Sequence, residues 1–415
     1  MSPADSNQTT ITSAEAELLL CCARNRMDPE TAGRIKALLC EELDWKRLIA
    51  TALQHRIVPL FCWHISNTCP EAVPNDILDQ LKVHFENHTA HNALLSESLV
   101  EILDLFEQHQ IPVIPYKGPV LATIVYGSFS SLRQFRDLDI LVHKQDVLRA
   151  KDLLMSQGYR PLRSLSPEEE GVELKSGYMY KFLHPEGVEV ELHWGFTSRR
   201  ASFPVNLENI WTRLEPVYFK GKQVLSFTPE DLILLLCVHM ARHSARAVFW
   251  IRLQMICDIA ELIRVNHEIN WTEVMERAVK LRSRRMLFFG LLAASVLLGA
   301  DLPEQVVHRL HREKSVKLLV SQLREKLFYK NDESPWKGVE ALVYYLRTRE
   351  SWLDRIRYLI PVVGELLTPN AKDRAILPLP SFLSFLYYIV RPIRLLSTYG
   401  FGPLQRKGIQ NQPKG

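Results

Sequence analysis

No two cysteines in this 415-residue sequence stand at CxxC spacing. The seven thiols, Cys21, Cys22, Cys40, Cys62, Cys69, Cys237 and Cys257, are odd in number and mostly sit inside apolar helical patterns. That distribution argues against a zinc ribbon or a disulfide framework and predicts buried, reduced thiols in a cytoplasmic protein. Long apolar runs are missing as well. The longest, near residues 287–300 and 382–390, fall short of the ~20 residues that a membrane-spanning helix needs. The first twenty residues lack a basic region followed by an apolar stretch and a cleavage site, so no secretory leader is expected. Nor is one sign of charge in excess: 51 basic residues face 47 acidic ones, a net charge of +4. That balance points neither to a polyanion binder nor to an acidic tail.

What is present is an ordinary globular composition, 47% hydrophobic and 24% charged, in a chain longer than one core usually supports. Apolar positions recur at three- and four-residue spacing through AEAELLLCCA, RIKALLCEEL, WKRLIATALQ and NALLSESLVEILDLFEQH, which predicts helices, with a capping box from Thr12 and Glu15. At residue 111 the pattern changes. IPVIPYKG predicts a strand, PVLATIVYG a short helix stopped by Gly127, and DLDILVH a half-buried strand. QDVLRAKDLLMSQGY follows as an amphipathic helix, and SGYMYKFLHPEGVEVELHW as a hairpin turning at HPEG. Beyond Thr228 the periodicity is helical again. The expected organisation is a helical region over 1–108, an α/β core over 109–200, a helical domain over 201–370, and an apolar segment with a polar tail over 371–415. This is an α+β, helix-rich fold.

The chemistry concentrates in the small core. The period of two along a strand puts Asp137 and Asp139 on one face, with Leu138 and Ile140 pointing into the core. Two neighbouring carboxylates repel unless a cation lies between them, and hard oxygen ligands suit Mg²⁺ or Mn²⁺. In GVEVELHW the residues Glu189, Glu191 and His193 also share one face, opposite Val188, Val190 and Leu192. A third carboxylate there completes a two-metal clamp for a leaving pyrophosphate. The plain alternative for this row is a solvated polar strand face.

A phosphate cradle is the third element. Gly118 ends the first strand and opens a helix, where its backbone approaches a phosphate near the positive helix end, and Lys117 reaches the phosphates as a point charge. Gly127-Ser128 is a competing turn. Arg133 and Arg136, just before the first aspartate, either steady a triphosphate or pair with the acidic cluster.

Taken together, YKGPVLATIVYG, LRQFRDLDILV and VELHW resemble the uncharacterised bacterial nucleotidyltransferase family of the polymerase-beta-like superfamily. The resemblance implies Lys117 and Gly118 for the nucleotide, Asp137 and Asp139 as metal ligands, Glu191 as the third carboxylate, and His193 and Trp194 as flanking signature. It extends to ATALQHRIVPL, ending at Leu60, and to residues 237–263 with His239, His243 and Asp258. Glutamate at the third acidic position is a departure, since aspartate is commoner in the family, and it leaves open whether Glu191 or Glu189 ligates.

His239 and His243 share a helix face, but Met240 stands where a zinc protease would need glutamate. They are read as packing histidines bonded to a partner such as Asp258, or as the wall of an acceptor pocket. The basic clusters RSRR (282–285) and SRR (198–200) read as solvated faces, because no aromatic residues interleave with them. The segment 382–396 reads as docked on the chain's own helices, with a peripheral membrane contact as the alternative. The expectation is therefore a Mg²⁺- or Mn²⁺-dependent transfer of an NMP group from an NTP. A small molecule or sugar is the expected acceptor; tRNA or protein, and a non-catalytic nucleotide-binding scaffold, are the alternatives.

Overall fold

The computed structural model describes residues 13–196, 208–243, 251–328, 339–368 and 381–399. By its contacts the chain divides into two compact units, Met1–Ser351 and Trp352–Gly415. The first unit opens with five helices: α1 (Ser13–Cys22), α2 (Pro29–Leu39), α3 (Trp45–His55), α4 (Val58–Thr68) and the long α5 (Asn75–Gln108). Aspartates start two of them. Asp28 accepts the Thr31 N–H at 2.7 Å and Asp44 that of Arg47 at 3.0 Å, each satisfying a donor the helix cannot. Of the expected capping box, Thr12 lies outside the described residues, and Glu15 accepts the Asp44 N–H at 2.9 Å.

The core follows in the expected order: β1 (Val113–Pro115), α6 (Gly118–Tyr126), β2 (Asp137–Val142), α7 (Val147–Ser156), β3 (Arg160–Pro161), α8 (Pro167–Ser176), β4 (Met179–Leu183) and β5 (Glu189–His193). The five strands form one mixed sheet in the order β1-β2-β5-β4-β3, with β2 and β5 parallel in its middle. Leu138, Ile140 and Val142 of β2, Val188, Val190 and Leu192 in and before β5, and Phe182 of β4 point to one face. There they pack with Leu95, Leu99 and Phe106 of α5 and Leu154 of α7. Strand alternation then commits Asp137, Asp139, Glu189, Glu191 and Lys181 to the opposite face. Strand β3, helix α8 and three elements after β5 are not among the expected ones. The helix α8 carries its own capping box, Ser166 with Glu169. After a short α9 (Glu208–Trp211), the strands β6 (Glu215–Phe219) and β7 (Lys222–Ser226) form a hairpin. Its turn residues Lys220 and Gly221 both have positive φ, 48° and 79°, as a two-residue hairpin loop needs.

The unit closes with α10 (Pro229–His243), α11 (Leu253–Val265), α12 (Trp271–Lys280), α13 (Arg284–Leu298), α14 (Glu304–Arg312), α15 (Lys314–Lys326) and α16 (Val339–Thr348). The second unit holds α17 (Trp352–Leu367) and α18 (Tyr387–Tyr399). No helix among the described residues is long and apolar enough to cross a membrane. In the RSRR cluster Arg282 is exposed, while Arg284 pairs with Glu313 at 3.1 Å and Arg285 donates to the Arg347 carbonyl at 3.2 Å. The SRR cluster lies outside the described residues.

Buried histidines tie the helical parts to the core. His55 Nδ1 accepts the Leu253 N–H at 3.1 Å, so α3 is fastened to the start of α11 through a neutral imidazole. Burial pushes its pKa down to about 4, and burial does the same to His88, which meets the Ser131 carbonyl at 3.0 Å. In the unfolded chain both rings bind a proton near pH ~6.5. Unfolding therefore takes up protons between about pH 6.5 and pH 4, and stability falls as pH drops through that window. The expected loss is about 3 kcal/mol per ring. Denaturant titrations at pH 7 and pH 4.5 measure it, and in His55→Gln the stability lost between them should shrink by about that amount for one ring. A variant slope equal to that of the native protein would remove His55 from this account.

Candidate functional site

The polar face of the sheet opens into a cavity of about 410 Å³. The register places Asp137 opposite Glu189 and Asp139 opposite Glu191 on the parallel pair, and Lys181 of β4 opposite Glu191. Like charges facing across strands destabilise a sheet, and Asp139, Glu189 and Glu191 have each gathered cations. Lys117 Nζ and His193 Nε2 each lie 3.1 Å from Asp139 Oδ1, and the Tyr116 hydroxyl donates to the same oxygen at 3.5 Å. His193 Nε2 is also 3.3 Å from Glu191 Oε2. Lys181 pairs with Glu189 at 3.0 Å and more tightly with Glu191.

The titration behaviour follows from these neighbours. Asp137 is pushed up to about 6 by burial and then by the charges of Asp139 and Glu191. Burial acts on Asp139 in the same sense, but Lys117 and His193 outweigh it and hold its carboxyl well below the usual range. Glu191 is lowered against its burial by the His193 bond and Lys181. His193 is raised against its burial by its bonds to Asp139 and Glu191.

Lys117 and Gly118 form the turn into α6, and both line the cavity. Gly118 has φ +59°, and a Cβ there would sit 3.1 Å from the Asp137 carbonyl oxygen. The chain passes so close behind the carboxylates that only glycine fits without displacing them. Gly127-Ser128 lies at the other end of α6, about 13 Å away at a helical rise of ~1.5 Å per residue. The geometry thus brings Gly118, rather than Gly127-Ser128, to the acidic cluster.

Arg133 reaches the cavity but is already engaged. Its Nε and Nη2 hold both oxygens of Asp258 at 2.8 Å, and Nη1 donates to the Gly118 carbonyl at 3.3 Å. Arg136 is exposed and does not line the cavity. Glu191 faces the cavity, and Glu189 is not among its lining residues. His239 and His243 both line it, their rings 4.5 Å apart edge to face. Asp258 is bound through both oxygens to Arg133, and its Oδ1 also accepts from the Tyr126 hydroxyl at 3.5 Å.

Several lining residues had not been singled out. Arg56 closes α3 in the left-handed region, φ 57°, and faces Asp137, whose charge partly offsets the lowering of its pKa by burial. Arg242 donates to the Phe196 carbonyl and lies over the Tyr178 ring at 5.5 Å. Lys181 was legible as a lysine on an alternating strand, but its partner is set by the hairpin register.

One donor atom each from Asp139, Glu191 and His193 lie within 4.8 Å of one another, close enough to share an ion. The profile of the uncharacterised nucleotidyltransferase family matches residues 41–299. The chain belongs to that family. Among solved structures, the lincomycin-bound lincosamide antibiotic adenylyltransferase LnuA is similar at 18% identity, over 33% of this chain and 83% of its own, with a TM-score of 0.24. An antigenic nucleotidyltransferase-like protein from Paracoccidioides brasiliensis is similar at 16% identity, over 54% of this chain and 97% of its own, with a TM-score of 0.30. No match is found among curated proteins. Membership assigns the chain to nucleotidyl transfer in general, and the family match spans the sheet, the cavity and parts of both helical flanks.

Proposed function

We propose that this nucleotidyltransferase moves an NMP group from an NTP to a small molecule or sugar, using Mg²⁺ or Mn²⁺ held by Asp137, Asp139 and Glu191. The observation that carries the reading is the carboxylate row facing the cavity beside the N-terminus of α6. Its oxygens fit a hard cation, and His193 within the same cluster tilts the donor set towards Mn²⁺. Such an ion supplies charge neutralisation on the triphosphate. The chain's own residues bind and orient. Lys117 and the first N–H groups of α6 hold phosphate oxygens, and Arg133 keeps that turn in place through the Gly118 carbonyl. The acceptor atom bonds to the α-phosphorus, the bond to the β-phosphate oxygen breaks, and pyrophosphate leaves. Glu191 helps take up the acceptor's proton. His193, His239 and His243 line the acceptor side. The cavity volume lies within the ~300–1,000 Å³ of small-molecule sites, which supports a small acceptor over a macromolecular one.

The test incubates purified protein with each α-labelled NTP, Mg²⁺ or Mn²⁺, and a cell extract split into small-molecule, RNA and protein fractions. Label is expected in the small-molecule fraction. It should be absent with EDTA and with the Asp137→Ala/Asp139→Ala protein. Label in the RNA or protein fraction would reassign the acceptor. No transfer anywhere, with no metal-dependent NTP binding by calorimetry, would leave a nucleotide-binding scaffold.

Arg56 extends this reading to the N-terminal helices. Arg56 lines the cavity together with Asp137, whose charge acts on it, where triphosphate charge would gather. Arg56→Ala is expected to raise KM for the NTP about tenfold while kcat changes less than about threefold. An unchanged KM would remove Arg56 from the phosphate site.

A further inference from the structure

The second unit carries an unmatched surface that nucleotidyl transfer does not use. On α17 the side chains of Trp352, Ile356, Ile360 and Val363 are 66%, 42%, 65% and 46% exposed. At 100° per residue they fall within about 80° of arc, a single apolar stripe along the helix. α18, which packs against α17, leaves Tyr388, Ile389 and Ile393 exposed, and Phe385 just before it is exposed as well. Contiguous apolar surface of this kind marks an interaction site.

Charge narrows the choice of partner. Residues 352–415 hold nine basic and three acidic side chains, a net +6, whereas residues 1–351 hold 42 and 44, a net −2. The whole positive charge of the protein therefore resides in the segment that exposes the stripe. A second copy would bring two +6 segments together, which their mutual repulsion opposes. A nucleic-acid backbone would use the charge and leave the aliphatic stripe wet. An anionic lipid surface uses both: aliphatic and aromatic side chains enter the headgroup boundary, and arginines stay with the phosphates.

We infer that the unit Trp352–Gly415 docks the protein on membranes containing anionic lipid, with α17 lying in the interface rather than spanning it. The inference is independent of the chemistry proposed for the cavity. Full-length protein is mixed with sedimentable vesicles of phosphatidylcholine alone or of phosphatidylcholine with phosphatidylglycerol. Binding is expected with the anionic vesicles, weaker by about tenfold or more with the neutral ones, and weakened by salt. Ile356→Glu/Ile360→Glu, at exposed positions whose replacement leaves the thermal unfolding midpoint unchanged, should bind about tenfold or more weakly. Arg357→Gln/Arg394→Gln keeps the stripe and should lose the preference for anionic lipid. Three results overturn the inference. One is failure of the native protein to sediment with anionic vesicles. Another is equal binding by Ile356→Glu/Ile360→Glu, which charge alone would explain, as for a nucleic acid. The third is a dimer that dissociates in that variant, which would give the stripe to a second copy.

Discussion

Asp139→Asn is expected to lower nucleotidyl transfer by ~10³-fold or more while the fold persists. Asp139 is 5% exposed, in the middle strand pair, and its Oδ1 meets Lys117, His193 and Tyr116. The amide keeps the shape and removes the charge. In the absence of substrate that leaves Lys117 without its counter-charge and His193 with Glu191 alone, but both can adjust. Lys117 lines the cavity and can turn to water, and His193 can release its proton. The stability cost should therefore stay small beside the kinetic one. Activity within about tenfold of the native protein would remove Asp139 from the catalytic site, whatever happened to stability.

Asp258→Ala should do the opposite, with a loss of about 3–5 kcal/mol in stability. Arg133 and Asp258 are both buried and form a two-pronged pair, 125 residues apart in sequence. The guanidinium cannot release its proton, so an unpaired Arg133 keeps its charge in a desolvated place. The thermal unfolding midpoint should drop by about 5 °C. Arg133→Met/Asp258→Leu, which removes both charges, should regain most of the loss. It should still show a raised KM for the NTP, since the Gly118 carbonyl has lost its donor. If Asp258→Ala instead tightened NTP binding at unchanged stability, Arg133 would be a triphosphate ligand held in reserve.

Much of the core was legible because its signals are local. Alternation along DLDILV and VEVELH placed the carboxylates on one face and the aliphatics on the other, and the turn at HPEG set the β4–β5 hairpin. The Lys117-Gly118 turn was visible as a strand end opening a helix. Residues 162–176 and 215–226 went unread, although Ser166 and Glu169 stand at capping-box spacing and Lys220-Gly221 is a hairpin turn. Arg56 could not have been found from its neighbours. A left-handed arginine at a helix end has no sequence signature, and its value lies in facing Asp137.

The sequence by itself determined which residues share a strand face, where α6 begins, and that each strand's carboxylates would stand on one side, because these depend on a period of two or on adjacent turn residues. Only the tertiary structure decided which cations answer them. Lys181 reaches Glu191 through the hairpin register, and Arg56 arrives from the end of α3. Arg133 is taken by Asp258 of α11. Coulomb attraction decides such pairings at a few ångströms, and packing of segments far apart in the chain sets those distances.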